Sequence, residues 1–194
     1  MIYEFSYDER HQFLSVYEKM LISRKNFFEN YPEWGQAFQP CPVEDEYDRR
    51  CSPFYIVGLQ DSSDAVASVR IMPTTGPTML REEFSPYFPY CPDIISPDIW
   101  ELSYLSTTAD TTSLAGRNLM LDVLKTVYAR AFANGIKQVV GTYPRSKLRL
   151  YRRLECLPFP LCEGDINGQE FCVGVWDISP LTLRHLTELQ LRPF

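Results

Sequence analysis

The stretch from Ile99 to Tyr143 constrains the fold most. It reads as a strand, I-W-E-L-S-Y-L-S-T-T, then a long helix, L-A-G-R-N-L-M-L-D-V-L-K-T-V-Y-A-R-A-F-A, then a second strand, I-K-Q-V-V-G-T-Y. Thr112 or Ser113 caps the helix and Asn134-Gly135 ends it. A strand–helix–strand unit belongs to an α/β sheet, whose ligands gather at strand ends. Inside the first strand stands Glu101, among Ile99, Trp100, Leu102, Tyr104 and Leu105. Burying a carboxylate costs several kcal/mol unless something pairs with it. Period-two alternation puts Glu101 and Ser103 on one face, with Trp100, Leu102 and Tyr104 on the other.

The flanking chain supplies more of the same architecture. Met1 to Phe5 reads as a strand. A helix follows, capped by Ser6 or Asp8, with Phe13, Tyr17, Met20, Leu21 and Arg24 in helical spacing. Residues 26–53, rich in proline, aromatics and acids, read as a long loop that serves as a lid or binding segment. F-Y-I-V-G-L-Q and A-V-A-S-V-R-I-M form a hairpin around D-S-S-D, and P-T-T-G-P breaks the second strand. M-L-R-E-E-F reads as one helical turn, and 85–98, with four prolines, as irregular chain. Pro144 opens a helix over R-S-K-L-R-L-Y-R-R-L, Gln169 to Asp177 is a strand, and Ser179-Pro180 starts a last helix. The order describes an α/β (α+β) fold, a mixed twisted sheet with helices on both faces. Residues 1–194 show no repeat and no boundary, so they read as one domain.

Composition excludes some functions. With 45% hydrophobic and 23% charged residues the chain is ordinary for a globular protein, and its net charge of −6 argues against binding nucleic acid. No segment reaches the roughly 18 apolar residues of a membrane span. The N-terminus, M-I-Y-E-F-S-Y-D-E-R, lacks the apolar core of a signal peptide, so a cytoplasmic monomer is expected. Six cysteines without a C-x-x-C pair, beside two histidines, read as reduced thiols with no metal site.

Three constellations carry charge that needs explaining. Glu101 either pairs with Arg70 as a buried ion pair or looks into a cleft. The acids of V-E-D-E-Y-D-R-R form either a solvated edge or, with Phe28, Trp34 and Tyr47, a site for a cation. Arg145, Lys147, Arg149, Arg152 and Arg153 stand together without an acid. They form either a solvated face or a dock for an acidic partner or a phosphate-bearing carrier.

With these residues in view the chain resembles the acyl-homoserine-lactone (autoinducer) synthases of bacterial quorum sensing. Arg24, Phe28 and Trp34 match that family's spaced R…F…W. D-E-Y-D matches its acidic motif at Asp45 and Asp48. R-I-M-P-T-T-G-P-T-M-L-R-E-E-F and W-E-L-S match its two central motifs. The match runs in register over about residues 1–180. Two positions depart from the pattern: Val43 replaces a glutamate, and Tyr104 replaces an arginine. The latter leaves Arg70 as the expected counter-charge of Glu101.

The resemblance implies a fold similar to the GNAT acyltransferases, with a V-shaped cleft between the Glu101 strand and the strand at 137–143. It implies S-adenosylmethionine as a substrate, acyl carrier protein or acyl-coenzyme A as the acyl donor, and no permanently bound cofactor. Glu101 becomes the candidate base or the anchor of a basic water, with Ser103 beside it and Arg70 orienting it. Arg24, Phe28, Trp34, Asp45, Asp48 and Tyr104 become candidates for holding the sulfonium nucleoside. Met79, Leu102, Thr142 and Leu150 line the acyl pocket, and the 145–153 basic segment docks the carrier. Two alternatives stand beside this reading. One is an N-acetyltransferase, which would want a Q/R-x-x-G-x-G/A loop where T-T-S-L-A-G-R-N-L has one glycine. The other is a diverged ligand-binding relative marked by Tyr104.

Overall fold

The structure, a computed structural model, describes residues 1–30, 44–60 and 65–191. The expected D-S-S-D turn, Trp34 and Val43 lie outside the described residues. Seven strands form one mixed sheet: β1 (Ile2–Ser6), β2 (Phe54–Leu59), β3 (Val66–Pro73), β4 (Ile99–Thr107), β5 (Gln138–Pro144), β6 (Phe159–Ile166) and β7 (Gln169–Asp177). Their spatial order is β1-β2-β3-β4-β5-β7-β6. Only β4 and β5 run parallel; the other neighbours are antiparallel. The helices are α1 (Leu14–Asn30), α2 (Glu46–Cys51), α3 (Leu114–Ala133), α4 (Leu148–Arg153) and α5 (Pro180–Leu191).

Hydrophobic patterning accounts for the two covered faces. Ile56, Val69 and Ile71 of the sheet bury against Leu121 and Val127 of α3 and Leu186 of α5. Arg117 and Lys125 of α3 also donate hydrogen bonds to Leu189 and Gln190 of α5. On the opposite face Tyr17 and Met20 of α1 pack on Phe5, Tyr55 and Val57. Further along that face Met72, Val140 and Phe171 meet Leu80 and Phe84, which lie on a single π-helical turn, Leu80–Phe84. No helix among the described residues is long and apolar enough to cross a membrane.

Three elements differ from the sequence reading. The first helix begins later, because residues Tyr7–Phe13 form 3-10 turns before α1. The Ser6 N–H and hydroxyl both donate to the Glu9 carboxylate there, at 2.9 and 2.8 Å. β6 was not expected, since Pro158 and Pro160 interrupt its pattern. It is an edge strand, where a missing N–H leaves no ladder bond broken in the sheet interior. α2 sits inside the segment read as loop. Its cap is reciprocal: the Asp48 N–H donates to Asp45 Oδ1 at 2.9 Å, and the Asp45 N–H donates to Asp48 Oδ2 at 3.0 Å.

One irregularity shapes everything downstream. Arg70 pairs with Ser103 and Ser68 with Ser106, so β4 carries one residue more than β3 between them. Tyr104 takes up the excess with a left-handed φ of 53°. Alternation is broken there. Trp100, Leu102 and Leu105 pack against the α3 face, whereas Tyr104 joins the cluster on the other face. The expected placement of Tyr104 opposite Glu101 is therefore corrected: the bulge returns its ring to the Glu101 side.

Candidate active site

β4 and β5 pair only at Ile99–Gln138, Trp100–Val139 and Glu101–Val140, and beyond Glu101 they separate into a fork. Glu101, 3% exposed, stands where the fork opens. Its Oε1 accepts the Met79 N–H at 3.1 Å and its Oε2 accepts the Leu80 N–H at 2.9 Å. These N–H groups open the π-helical turn, whose start favours negative charge. Burial nevertheless pushes the Glu101 carboxyl above its ordinary range, against the opposing pull of Leu80, Thr78, Arg70 and Met79. A carboxyl so placed holds a proton more readily than a free glutamate, which suits acid–base work.

The expected Glu101–Arg70 ion pair is not what forms. Arg70, fully buried, gives Nη1 to Asp45 Oδ1 at 2.6 Å and to Asp48 Oδ1 at 2.9 Å. Its Nε donates to the Ser103 hydroxyl at 2.9 Å, and its Nη2 to the Met79 sulfur at 2.9 Å. Arg70 thus acts on Glu101 through space rather than by a direct hydrogen bond, with Met79 touching both. Two carboxylates out-compete one here, because α2 delivers Asp45 and Asp48 together, as its N-cap and its third residue.

Those aspartates are corrected in turn. Neither is among the residues lining the cavity described below. Asp48 also accepts from Arg24 Nη1 at 3.0 Å and from the Tyr55 hydroxyl at 2.7 Å, and Asp45 accepts from the Tyr104 hydroxyl at 3.0 Å. Burial works against the charge of Asp48, yet the Arg24 and Arg70 guanidiniums hold its carboxyl down to about 2. The acids and aromatics do form a cation site, but its cations are the chain's own arginines. The Tyr104 ring lies 4.2 Å from the Arg24 guanidinium and 4.6 Å from that of Arg70, and Phe28 packs edge-on against it at 5.3 Å. Tyr104 therefore gives this cluster a neutral ring and one hydroxyl.

A cavity of about 720 Å³ runs through the fork. On the α1 side Phe28, Met79, Glu101, Ser103 and Tyr104 face it, and three further acyl-pocket candidates, Leu102, Thr142 and Leu150, also line it. On the α3 side it continues to Met120, Tyr128, Tyr151 and Trp176. Gly141 of β5 belongs to the passage: a Cβ there would meet the Leu102 carbonyl oxygen at 3.2 Å. Residues 8–153 match the autoinducer synthase family, three quarters of the chain in register.

The chain belongs to the autoinducer synthase family. It is 29% identical over 172 residues to the acyl-homoserine-lactone synthase of Rhizobium etli, covering 88% of this chain and 81% of that one. Its fold is that of BjaI, a coenzyme A-dependent acyl-homoserine lactone synthase solved with S-adenosylmethionine and isopentyl-coenzyme A. The TM-score is 0.80 at 24% identity, with 100% of this chain and 90% of that one covered. An acyl-coenzyme A N-acyltransferase from Pseudomonas aeruginosa shares the fold more distantly, with a TM-score of 0.55 at 12% identity and 91% and 98% coverage.

In this autoinducer synthase family member the basic segment divides. Arg145 is drawn away to Glu163 at 2.8 Å and Glu170 at 3.7 Å. Lys147, Arg149 and Arg153 border the cavity, with the Lys147 ammonium 5.6 Å from the Phe27 ring. Arg152 is exposed beside them. Thr78 and Tyr55 escaped the sequence reading, as did the Tyr128, Tyr151 and Trp176 wall. Only the first had a signal: it directly precedes Met79 in the family's P-T-x-G-P-x-M-L motif.

Proposed function

We propose that this chain joins S-adenosylmethionine to an acyl thioester in the forked cavity, giving an N-acyl-L-homoserine lactone and methylthioadenosine. The observation that carries the reading is Glu101, a buried carboxylate at the head of the fork with its side chain on the cavity wall. The α-amino group of the substrate has a pKa near 8 and must lose a proton before it attacks. Glu101 takes that proton directly or through a water, help worth roughly 10²–10⁴-fold. The nitrogen then bonds to the thioester carbonyl carbon, the carbon–sulfur bond breaks, and the leaving sulfur departs with the second amine proton. The substrate carboxylate finally displaces methylthioadenosine from its own γ-carbon, closing the lactone.

The rest of the site supports this chemistry by position. Backbone N–H groups freed where β4 parts from β5 are the candidate donors for the developing oxyanion. Phe28, Ser103 and Tyr104 face the nucleoside side. The Arg24–Asp48–Arg70–Asp45 frame fixes that wall, and Met79, Leu102, Thr142 and Leu150 receive the acyl group. Such a reaction belongs in the cytoplasm, where both substrates are made. Incubating the pure protein with S-adenosylmethionine and acyl thioesters releases methylthioadenosine if the reading holds. Acyl transfer to other amines without that release would replace it by the N-acetyltransferase reading.

The basic border makes a second measurable difference. Carrier protein presents many acids to Arg149 and Arg152, whereas coenzyme A presents a few phosphates. Charge reversal at both positions raises the apparent KM for a carrier-protein donor several-fold more than for the coenzyme A thioester. Equal effects on the two donors would remove the carrier from this surface.

A further inference from the structure

The cavity's α3 side is not the plain greasy tube that a straight acyl chain needs. Tyr143, Tyr151 and Trp176 form a closed triangle of edge-on contacts, with centroids 5.2, 5.7 and 5.4 Å apart. The Trp176 indole N–H is committed to the Cys156 carbonyl at 2.7 Å, and the Tyr143 hydroxyl engages Cys172. Tyr128 and Tyr151 differ. Both line the cavity, and among the described residues neither hydroxyl has a hydrogen-bond partner. Burial pushes both phenols upward, so each stays a neutral donor, and each lies near the other and near Cys156.

A polar group that the protein itself does not pair hydrogen-bonds to whatever occupies the space beside it. Here two such groups open into the same space, so their partner is whatever fills it. A linear alkyl chain would seal them from water and offer nothing in return. A flat ring fits walls built of ring faces and edges, and an oxygen on its far edge meets the two hydroxyls. We propose that the acyl group preferred by this chain is aromatic, carries a hydrogen-bonding oxygen on its ring, and is read by Tyr128 and Tyr151. The proposal rests on the acyl-homoserine-lactone synthase reading of the site and names its acyl class.

The test compares octanoyl, 3-phenylpropionyl and 3-(4-hydroxyphenyl)propionyl donors, each as a coenzyme A and as a carrier-protein thioester, by methylthioadenosine release. The hydroxylated ring is expected to exceed octanoyl at least tenfold in kcat/KM and to exceed the plain ring several-fold. Tyr128→Phe and Tyr151→Phe keep the ring and remove the hydroxyl. Each should lower the hydroxylated-to-plain ratio about 5–10-fold, the effect of one hydrogen bond. Octanoyl as the best donor, or a ratio unmoved in both variants because water serves the hydroxyls, overturns the proposal and leaves the synthase reading standing. No methylthioadenosine from any donor removes both.

Discussion

Glu101→Gln lowers turnover by roughly 10²–10⁴-fold while the protein stays folded. The carboxamide is nearly the shape of the carboxylate, and its oxygen still accepts one of the two N–H groups of Met79 and Leu80. The other N–H then faces an NH₂, a local cost of about 1–3 kcal/mol, visible as a modest loss of thermal stability. What disappears is the proton acceptor. The pH profile gives an independent reading. Turnover at saturating substrate falls on the acid side as Glu101 gains a proton, and burial has raised that carboxyl above the ordinary 4.5 of a glutamate. The fall therefore begins at higher pH than an exposed glutamate would give, and Glu101→Gln abolishes it. Near-normal turnover in the variant, measured with binding of S-adenosylmethionine intact, would take Glu101 out of the mechanism.

Asp48→Ala costs about 3–5 kcal/mol of folding stability, as removal of one partner from a buried ion pair does. Asp48 is fully buried and accepts from Arg24, Arg70, Tyr55 and the Asp45 backbone. Without it two buried guanidiniums lose a shared counter-charge, and α2 loses half of its reciprocal cap. For a chain of this length the loss corresponds to a melting point lower by roughly 6–20 °C. The same carboxylate makes stability depend on acid. Its folded value of about 2 lies below the 3.8 of a free aspartate, so its contribution is full above about pH 4. That contribution is lost as pH falls from there through about 2. In Asp48→Ala this part of the acid sensitivity is absent. A melting point within about 2 °C of wild type would show that the arginines find other partners.

Much of this site was visible in the residues alone. The strand–helix–strand unit, the acid buried in its first strand and the paired aspartates all follow from periodicity and spacing, which are local properties of a chain. Charge near the site was also legible as a quantity: Arg24, Arg70, Asp45, Asp48 and Glu101 were all singled out. The division of partners among them was not. Arg70 was expected beside Glu101 as the counter-charge left when Tyr104 stands in place of an arginine, yet the structure sends it to two aspartates carried in by a short helix. That helix itself was legible after the fact, since an aspartate three residues before another is a capping pattern. The proline-broken β6 and the bulge at Tyr104 left no such trace.

Sequence therefore determined most of the elements, which face of each regular one is apolar, and which acids and bases must find company in the interior. Tertiary structure alone decided who accompanies whom. A buried carboxylate takes the donors that come within about 3 Å, and those of Glu101 are backbone N–H groups 21 and 22 positions away in the chain. The direction of Tyr104 depends on a register slip between two strands. No periodicity within one strand encodes that, because it arises only when the second strand is laid beside it.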